Sequence, residues 1–457
     1  MPDEQAMFIF IEFKSYVKQQ IYIQLAHGFF IMMKKILFYI FLLFLISSQN
    51  LWASETIQQG NILTLQQCID IALKNHPAIQ AASGTVRQSE SKIGQARSGY
   101  FPQITFNSGY SRIGPPDTSL RSDPYNNYSN TLNLNQTLFD FGKTYTKVRI
   151  QSLQKESSEA DLQDITASIV LGVKQSYYSF LKAKMSVTVA TETMKQFQQH
   201  YDVARAFFET GKSSKIDVTS AEVNLSNASI QLISAQNALR IAFVKLNQAM
   251  GVVSAPEYDV KDEFDTEKTE ISFESALSQA YQNRPDVLST ALKREALEKN
   301  VTLNKIGYLP TLSGNAAYGY SGDDTSIDRS WNVGVALTFP LFTGLSTKYS
   351  VDEATASLDI ALANEESLKQ LIYLEVQSAW LNRKEALERI EAGKTIVRQA
   401  EETLELARGR YATGVGSSIE ITDALIKHYN ARMTYITALT DYSIAQASLE
   451  KAIGGIK

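Results

Sequence analysis

Side chains suited to catalysis or metal binding are few in this 457-residue chain. The four histidines, at positions 27, 76, 200 and 428, have no metal-ligand spacing, and Cys68 is the single cysteine. The sequence contains no pairing of a nucleophile with a base and no glycine-rich phosphate loop. It therefore predicts neither an enzyme nor a bound metal or cofactor.

A small set of acids is the group most able to act on a solute. Glu420 and Asp423 are three residues apart, so on a helix both side chains face the same side. In several copies around one opening, these carboxylates would form a ring that favours cations. Asp217 matches Glu420 in a related stretch, 203 residues earlier. Acids are also favoured in the first turn of any helix, and the residues alone support both interpretations equally.

The acids belong to two stretches that match position by position, Phe207–Ala221 and Tyr411–Ala424. The first stretch follows a proline-free run over 143–209, and a helix of that length is on the order of 100 Å long. In each stretch a glycine can end one helix in the left-handed conformation and a serine can cap the next. We predict two tight helical hairpin tips, at about 207–218 and 410–421. Their turn residues are Gly211, Lys212, Ser213, Ser214, Gly414, Val415, Gly416 and Ser417.

Further landmarks repeat along the chain. The Asn-x-Pro motif at Asn75 returns at Asn283, and the Tyr-x-Pro motif at Tyr100 returns at Tyr308, in both cases 208 residues later. Self-similarity of this kind indicates one structural unit used twice. The predicted segments are a first repeat over 54–250, an acidic linker over 251–272 and a second repeat over 273–457.

After each Tyr-x-Pro motif the apolar spacing changes to two, which predicts β-hairpins at about 103–140 and 311–342. Each hairpin has one apolar and one polar face. The alternation alone permits a soluble sheet packed on a helix, whereas tyrosine and tryptophan near the strand ends are typical of membrane strands. A membrane leaves no sheet edge unpaired, so four strands would have to join those of other copies. The lipid-facing residues of the last strand would be Trp331, Val333, Val335, Leu337 and Phe339.

The N-terminal part predicts export. Residues 33–53 have the pattern of a secretory signal peptide, with Lys34 and Lys35 before an apolar run. Residues 1–32 are either an upstream extension from a misplaced start or an unusually long first region of that signal. Removing 1–53 takes four basic and three acidic residues from the 44 and 48 of the whole chain, which leaves about five net negative charges. A negative chain disfavours nucleic acid as a partner.

These features together resemble the TolC-like outer-membrane efflux channel family, over residues 63–455. The resemblance is carried by the duplicated unit, the two Asn-x-Pro and two Tyr-x-Pro motifs, the Leu-Phe-Asp-Phe-Gly run at 138–142 and the two tips. It implies a mainly α fold with membrane β strands. Three copies would join their long antiparallel helices into an α-barrel, continued by a 12-stranded β-barrel with four strands from each protomer.

The same resemblance implies a function. The protein would be a passive exit duct in the outer membrane of a Gram-negative-type cell, in contact with outer-membrane lipid and with a long periplasmic extension. It would work as a homotrimer with a periplasmic adaptor protein and an inner-membrane transporter, in efflux or in type I secretion. The alternative is a periplasmic coiled-coil structural or adaptor protein, which explains the helices but leaves the two β-hairpins without a role.

Site residues also follow from the resemblance. A gate at the tips would consist of Asp217, Tyr411, Glu420 and Asp423, with Tyr411 linked to Asp217 in the closed state. Gly416 stands where the family has a linking arginine, and Lys212 and Lys215 are the candidate replacements. The turn residues of both tips would dock the adaptor.

Overall fold

The computed structural model of the chain describes residues 59–114, 123–264, 271–323 and 326–456. The predicted signal peptide and the segment before it lie outside the described residues. Within these ranges the longest helices carry too many polar and charged residues for any of them to qualify as a membrane-spanning helix.

The order of elements repeats along the chain, as the sequence predicted. In the first half, strand β1 (Ile62–Leu63) precedes helices α1 (Leu65–Asn75) and α2 (Pro77–Arg97), strands β2 (Gln103–Ile113) and β3 (Tyr125–Phe139), and helices α3 (Lys143–Glu209) and α4 (Lys215–Ala249). In the second half, strand β4 (Asp259–Val260) precedes helices α5 (Phe273–Asn283) and α6 (Pro285–Ile306), strands β5 (Thr311–Gly322) and β6 (Ile327–Thr338), and helices α7 (Ser346–Ala412) and α8 (Ser418–Ala452). The mainly α fold with a duplicated unit and four long strands is therefore confirmed.

The four long strands form one antiparallel sheet in the order β2-β3-β5-β6. Their register aligns Phe106, Leu132, Tyr318 and Trp331 across the sheet. Because side chains alternate between the faces of a strand, this row defines a single apolar face. Strands β2 and β6 are the edges of the sheet, and each has one side without a partner strand in the described chain.

The helices lie side by side in a layer that is four helices wide. Next to the sheet the order is α2–α3–α6–α7, and farther away it is α4–α3–α8–α7. Helices α3 and α7 run through both halves of the layer, and each is 67 residues long. The flanks of the layer are therefore α2 and α4 on one side and α7 on the other.

The Asn-x-Pro motifs are the joints of this layer. Pro77 and Pro285 begin α2 and α6, where a missing N–H has no cost. The ends of α4 and α8 press against these joints through Gly251 and Gly454, both with positive φ (+72° and +71°). A Cβ at Gly251 would lie 2.7 Å from the His76 Cα, so only glycine fits. The glycines that repeat at 203 residues are thus explained by the stacking of two shorter helices beside each long one.

Part of the predicted linker 251–272 is ordered against the first repeat. Strand β4 pairs in parallel with β1, and Tyr258 and Val260 are buried in a core with residues of α1, α3 and α4. The Tyr258 hydroxyl donates to the Asn247 Oδ1 at 2.7 Å. The segment is therefore a packed belt here, apart from residues 265–270, which lie outside the described ranges.

Candidate functional site

Both hairpin tips are built in the same way. Gly211 and Gly414 have positive φ, +73° and +79°, and end α3 and α7. The next residue closes each turn: the Lys212 N–H donates to the Phe207 carbonyl at 2.7 Å, and the Val415 N–H donates to the Arg410 carbonyl at 3.0 Å. Glycine takes this left-handed conformation without strain. The sequence match at 203 residues therefore corresponds to two copies of one turn.

Serines cap the returning helices. Ser214 caps α4 in a capping box, and the Asp217 carboxylate accepts from the Ser214 N–H at 3.1 Å and from its hydroxyl at 2.8 Å. Ser417 caps α8 by accepting the Glu420 N–H at 3.2 Å. In this structure the Asp217 carboxylate is therefore committed to its own turn.

Tyr411 lies inside the second tip, and its position differs from the sequence prediction in one respect. The ring is 7% exposed and packs between His200 and Phe207, with centroid distances of 5.3 and 5.5 Å. Its hydroxyl makes no hydrogen bond, so the predicted Tyr411–Asp217 bond is absent here. Burial raises the pKa of Tyr411, and the nearby Asp217 charge raises it further.

His200 forms a contact between the two hairpins that the sequence did not predict. This α3 residue is buried, and its Nε2 lies 3.1 Å from the Oγ of Ser418, in the first turn of α8. Its Nδ1 is buried without a partner. Burial lowers the pKa of His200, and the Asp217 charge opposes that shift. The signal in the sequence was helical spacing, because Phe197, His200 and Ala204 fall on one buried face of α3.

The acids predicted for the gate have cations in their own hairpin. Glu420 pairs with Arg410 at 3.2 Å, and Asp423 pairs with Lys427 at 2.9 Å. Lys212 and Lys215, the candidate replacements for the family arginine, form no ion pair within the described ranges. The role predicted for these two lysines stays a prediction, and the cations that reach the predicted acids in this structure are Arg410 and Lys427.

Gly416 explains why the family arginine is missing. A Cβ at this position would lie 2.9 Å from the Arg410 Cβ and 3.0 Å from the Tyr411 nitrogen. Contacts below 3.0 Å force a shift of one partner, so this turn has no room for a side chain at 416.

The tips also expose apolar side chains at matched positions. Ile216 and Ile419, 203 residues apart, are 76% and 78% exposed, and Val415 is 70% exposed. Each isoleucine lies in the first turn of a returning helix. These side chains give both tips an apolar end suited to contact with another protein.

In the four-stranded sheet, the apolar face of β6 is exposed. The five residues predicted to face lipid are between 54% and 74% exposed, and four of them lie in β6, with Phe339 directly after it. Among the residues that the structure describes, no group of three or more His, Cys, Asp or Glu side chains could hold a metal ion.

Comparison with known proteins identifies the family. The model of the outer membrane efflux protein family matches residues 68–252 and 276–455. The outer membrane protein TolC of Vibrio cholerae is 22% identical over 405 residues, which cover 85% of this chain and 90% of that protein. The probable efflux pump outer membrane protein TtgC of Pseudomonas putida is 23% identical over 400 residues, which cover 86% of this chain and 83% of that one.

Solved structures show the same fold. The crystal structure of CusC superposes with a TM-score of 0.77 at 19% identity and covers 88% of this chain and 95% of its own. The MtrE outer membrane channel of Neisseria gonorrhoeae, solved in its open state, gives a TM-score of 0.75 at 20% identity and covers 86% and 89%. With its duplicated helices, four-stranded sheet and paired tips, the chain belongs to the outer membrane efflux protein family.

Proposed function

We propose that this protein is the outer-membrane exit duct of a tripartite efflux or type I secretion system. It conducts substrates passively, and an inner-membrane transporter, joined through a periplasmic adaptor, supplies the energy. The observation that carries this proposal is that both the sheet and the helical layer of one chain have unpartnered sides. Each of these sides is suited to contact with the matching side of another copy.

The first open flank is the sheet. The outer sides of strands β2 and β6 each have a row of backbone N–H and C=O groups without partners in the described chain. Placing one such group in hydrocarbon costs roughly several kcal/mol of free energy. The exposed apolar face favours lipid. Pairing β2 of one copy with β6 of the next removes both edges, and three copies give a closed barrel of twelve strands.

The second open flank is the helical layer. Exposed large apolar residues follow both outer helices. At about 100° per residue, all of those on α4 and most of those on α7 fall within a stripe about 100° wide. The stripe on α4 contains Ile216, Val223, Ile230, Ile233, Ile241 and Val244. The stripe on α7 contains Tyr349, Ile360, Leu371, Leu374, Leu381, Ile396 and Leu406. Apolar stripes of this length need a partner, and α4 of one copy against α7 of the next supplies it.

We place the gate at the tips, the farthest points from the sheet. The contact between His200 and Ser418 holds the two hairpins of a protomer together, and Tyr411 fills the space between them. In a trimer, Glu420 and Asp423 would place six carboxylates around one opening, with Asp217 close by. The same tips dock the adaptor through their small turn residues and through Ile216, Val415 and Ile419.

Planar-bilayer recording tests this function. Purified protein should form channels that prefer cations, because carboxylates at the constriction attract them. The double variant Glu420→Gln/Asp423→Asn should lower the cation preference and weaken block by polyvalent cations added on the tip side. Lys427→Gln, next to this ring, should leave the preference for cations in place. A protein that forms no channels in any bilayer would instead support the alternative of a periplasmic coiled-coil protein.

A further inference from the structure

Charged residues divide unequally between the two faces of the sheet. The four described strands contain three of them, Arg112 in β2 and Asp328 and Arg329 in β6. Side-chain alternation places Arg112 on the face of Phe106 and Arg329 on the face of Trp331, which is the apolar face in both cases. Asp328 lies on the polar face. Both cations of the sheet therefore point to the side that the proposed function assigns to lipid.

Both arginines lie at the end of the sheet that is farthest from the helices. Arg112 is the second-last residue of β2, and Arg329 is the third residue of β6. From Phe339 to Arg329 a strand rises about 34 Å, which is about 26 Å of membrane depth at a tilt of about 40°. The apolar band of outer-membrane barrels is about 25 Å tall. Arg329 is thus placed at the outer border of the hydrocarbon, at the level of the lipid headgroups.

Tyrosine and asparagine side chains surround the two arginines on the same face. The Tyr110 hydroxyl donates to the Asn126 Oδ1 at 3.0 Å. The Tyr318 and Tyr320 hydroxyls lie 3.0 Å apart, and Arg329 is the cross-strand partner of Tyr320. This band combines cations with groups that can both donate and accept hydrogen bonds.

Neither arginine is neutralised within the described part of the chain. Arg112 and Arg329 are exposed and form no ion pair with any described carboxylate. An arginine on a lipid-facing strand is unfavourable in the hydrocarbon and nearly neutral at the interface. Its planar fork of donors matches the geometry of phosphate, which it can bind through two parallel hydrogen bonds. An anion at the membrane surface would therefore be a suitable partner for both arginines.

We propose that the outer rim of the apolar face, formed by Arg112, Arg329, Tyr110, Tyr318 and Tyr320, binds the phosphorylated glycolipid of the outer leaflet. The guanidinium groups bind its phosphates, and the tyrosine hydroxyls bind its sugar. This inference rests on the proposed function, which sets the orientation of the sheet. Because β2 and β6 are the two edges, every seam between copies carries one arginine from each side. One glycolipid bound there bridges two protomers.

Native mass spectrometry of the detergent-extracted complex tests this inference. The added lipids are a diphosphorylated glycolipid, the same glycolipid without phosphates, and phosphatidylglycerol. The unmodified complex should bind the diphosphorylated form at least tenfold more tightly than the other two. Arg112→Gln/Arg329→Gln should lose that preference, and Arg112→Lys/Arg329→Lys should retain part of it. Asp328→Asn, one residue from Arg329 but on the opposite face, is the matched control and should bind as the unmodified complex does.

The same spectra separate the two levels of the proposal. A trimer that binds all three lipids equally, or a glutamine variant that retains the preference, would overturn the glycolipid site and leave the duct standing. Equal binding of phosphatidylglycerol and the diphosphorylated glycolipid would replace the glycolipid by any anionic lipid. A complex that is not a trimer would remove the seam and contradict the proposed function itself.

Discussion

His200 is the residue of the tip from which we expect a response to pH. It is buried against Tyr411 and Ser418, and the acid that acts on it is Asp217. Because burial lowers its pKa, the packed tip favours neutral His200, and separating the two hairpins would expose a group that binds a proton more readily. Burial of neutral His200 therefore stabilises the packed tip fully at a pH above the ordinary histidine pKa of 6.5. This stabilisation is lost as the pH falls from 6.5 towards the lowered pKa of His200.

We therefore expect acid to open the channel. Single-channel conductance should rise between pH 7.5 and pH 5, and His200→Gln, which can still bond Ser418 but does not titrate, should remove most of that rise. His428→Gln is the control, because His428 is also buried with a lowered pKa but neighbours Arg432 and not Tyr411. If the His428 variant loses the response and the His200 variant retains it, the contact between His200 and Ser418 does not control opening.

Gly416 should be intolerant of any side chain. Gly416→Ala places a Cβ 2.9 Å from that of Arg410, so the second tip should be destabilised by about 1–3 kcal/mol, as overpacking generally is. Gly409→Ala, seven residues earlier in α7, meets no atom within 4 Å. It should stabilise the helix by about 0.5–1 kcal/mol. Hydrogen exchange at the tip amides measures both changes, and equal protection in the two variants would argue against the close contact.

The two faces of a strand should differ in their tolerance of charge. Val335→Lys places an ammonium group on the apolar face near mid-membrane and should cost about 2–4 kcal/mol. Ala336→Lys, on the opposite face of the same strand, should be far milder. Heat stability of the extracted complex and its amount in the outer membrane report the difference. Equal sensitivity at both positions would be the signature of a sheet packed on both faces.

The tips should dock an adaptor through their exposed isoleucines. Gly414 is a poor place for this test, because its positive φ (+79°) makes a larger side chain strained. Ile216→Ser/Ile419→Ser instead removes two exposed apolar side chains from the surface. Cross-linking to the adaptor should fall at least severalfold while the trimer is retained. Val253→Ser removes a fully exposed apolar side chain far from the tips and should change nothing; a matching loss there would make the effect non-specific.

The elements were predictable from the sequence where short-range patterns decide them. Helix breaks at Pro77 and Pro285, the turns at Gly211 and Gly414 and the alternation in β6 all depend on residues within a few positions of one another. The contact between His200 and Ser418 joins residues 218 apart in the chain. That contact depends on how two hairpins pack, which no local pattern contains. The predicted bond from Tyr411 to Asp217 was absent because the carboxylate serves its own capping box.

A single chain leaves two parts of its surface without a partner, the edges of the sheet and the outer helices. The sheet lacks partners along β2 and β6, and the helical layer exposes apolar stripes along α4 and α7. Both needs are met by the same side-by-side arrangement, since β2 and α4 lie in the first repeat and β6 and α7 in the second. One rotation between copies would therefore close the sheet and the helical layer together.

The number of chains in the detergent-extracted complex tests this arrangement directly. The proposed twelve-stranded barrel, with four strands from each protomer, predicts a single species with three times the mass of the mature chain, measured by native mass spectrometry. Leu374→Glu, in the stripe of α7, should reduce the trimer in favour of single chains. A monodisperse single chain that remains folded and heat-stable without detergent would contradict the duct, as would a stable complex with any other number of chains.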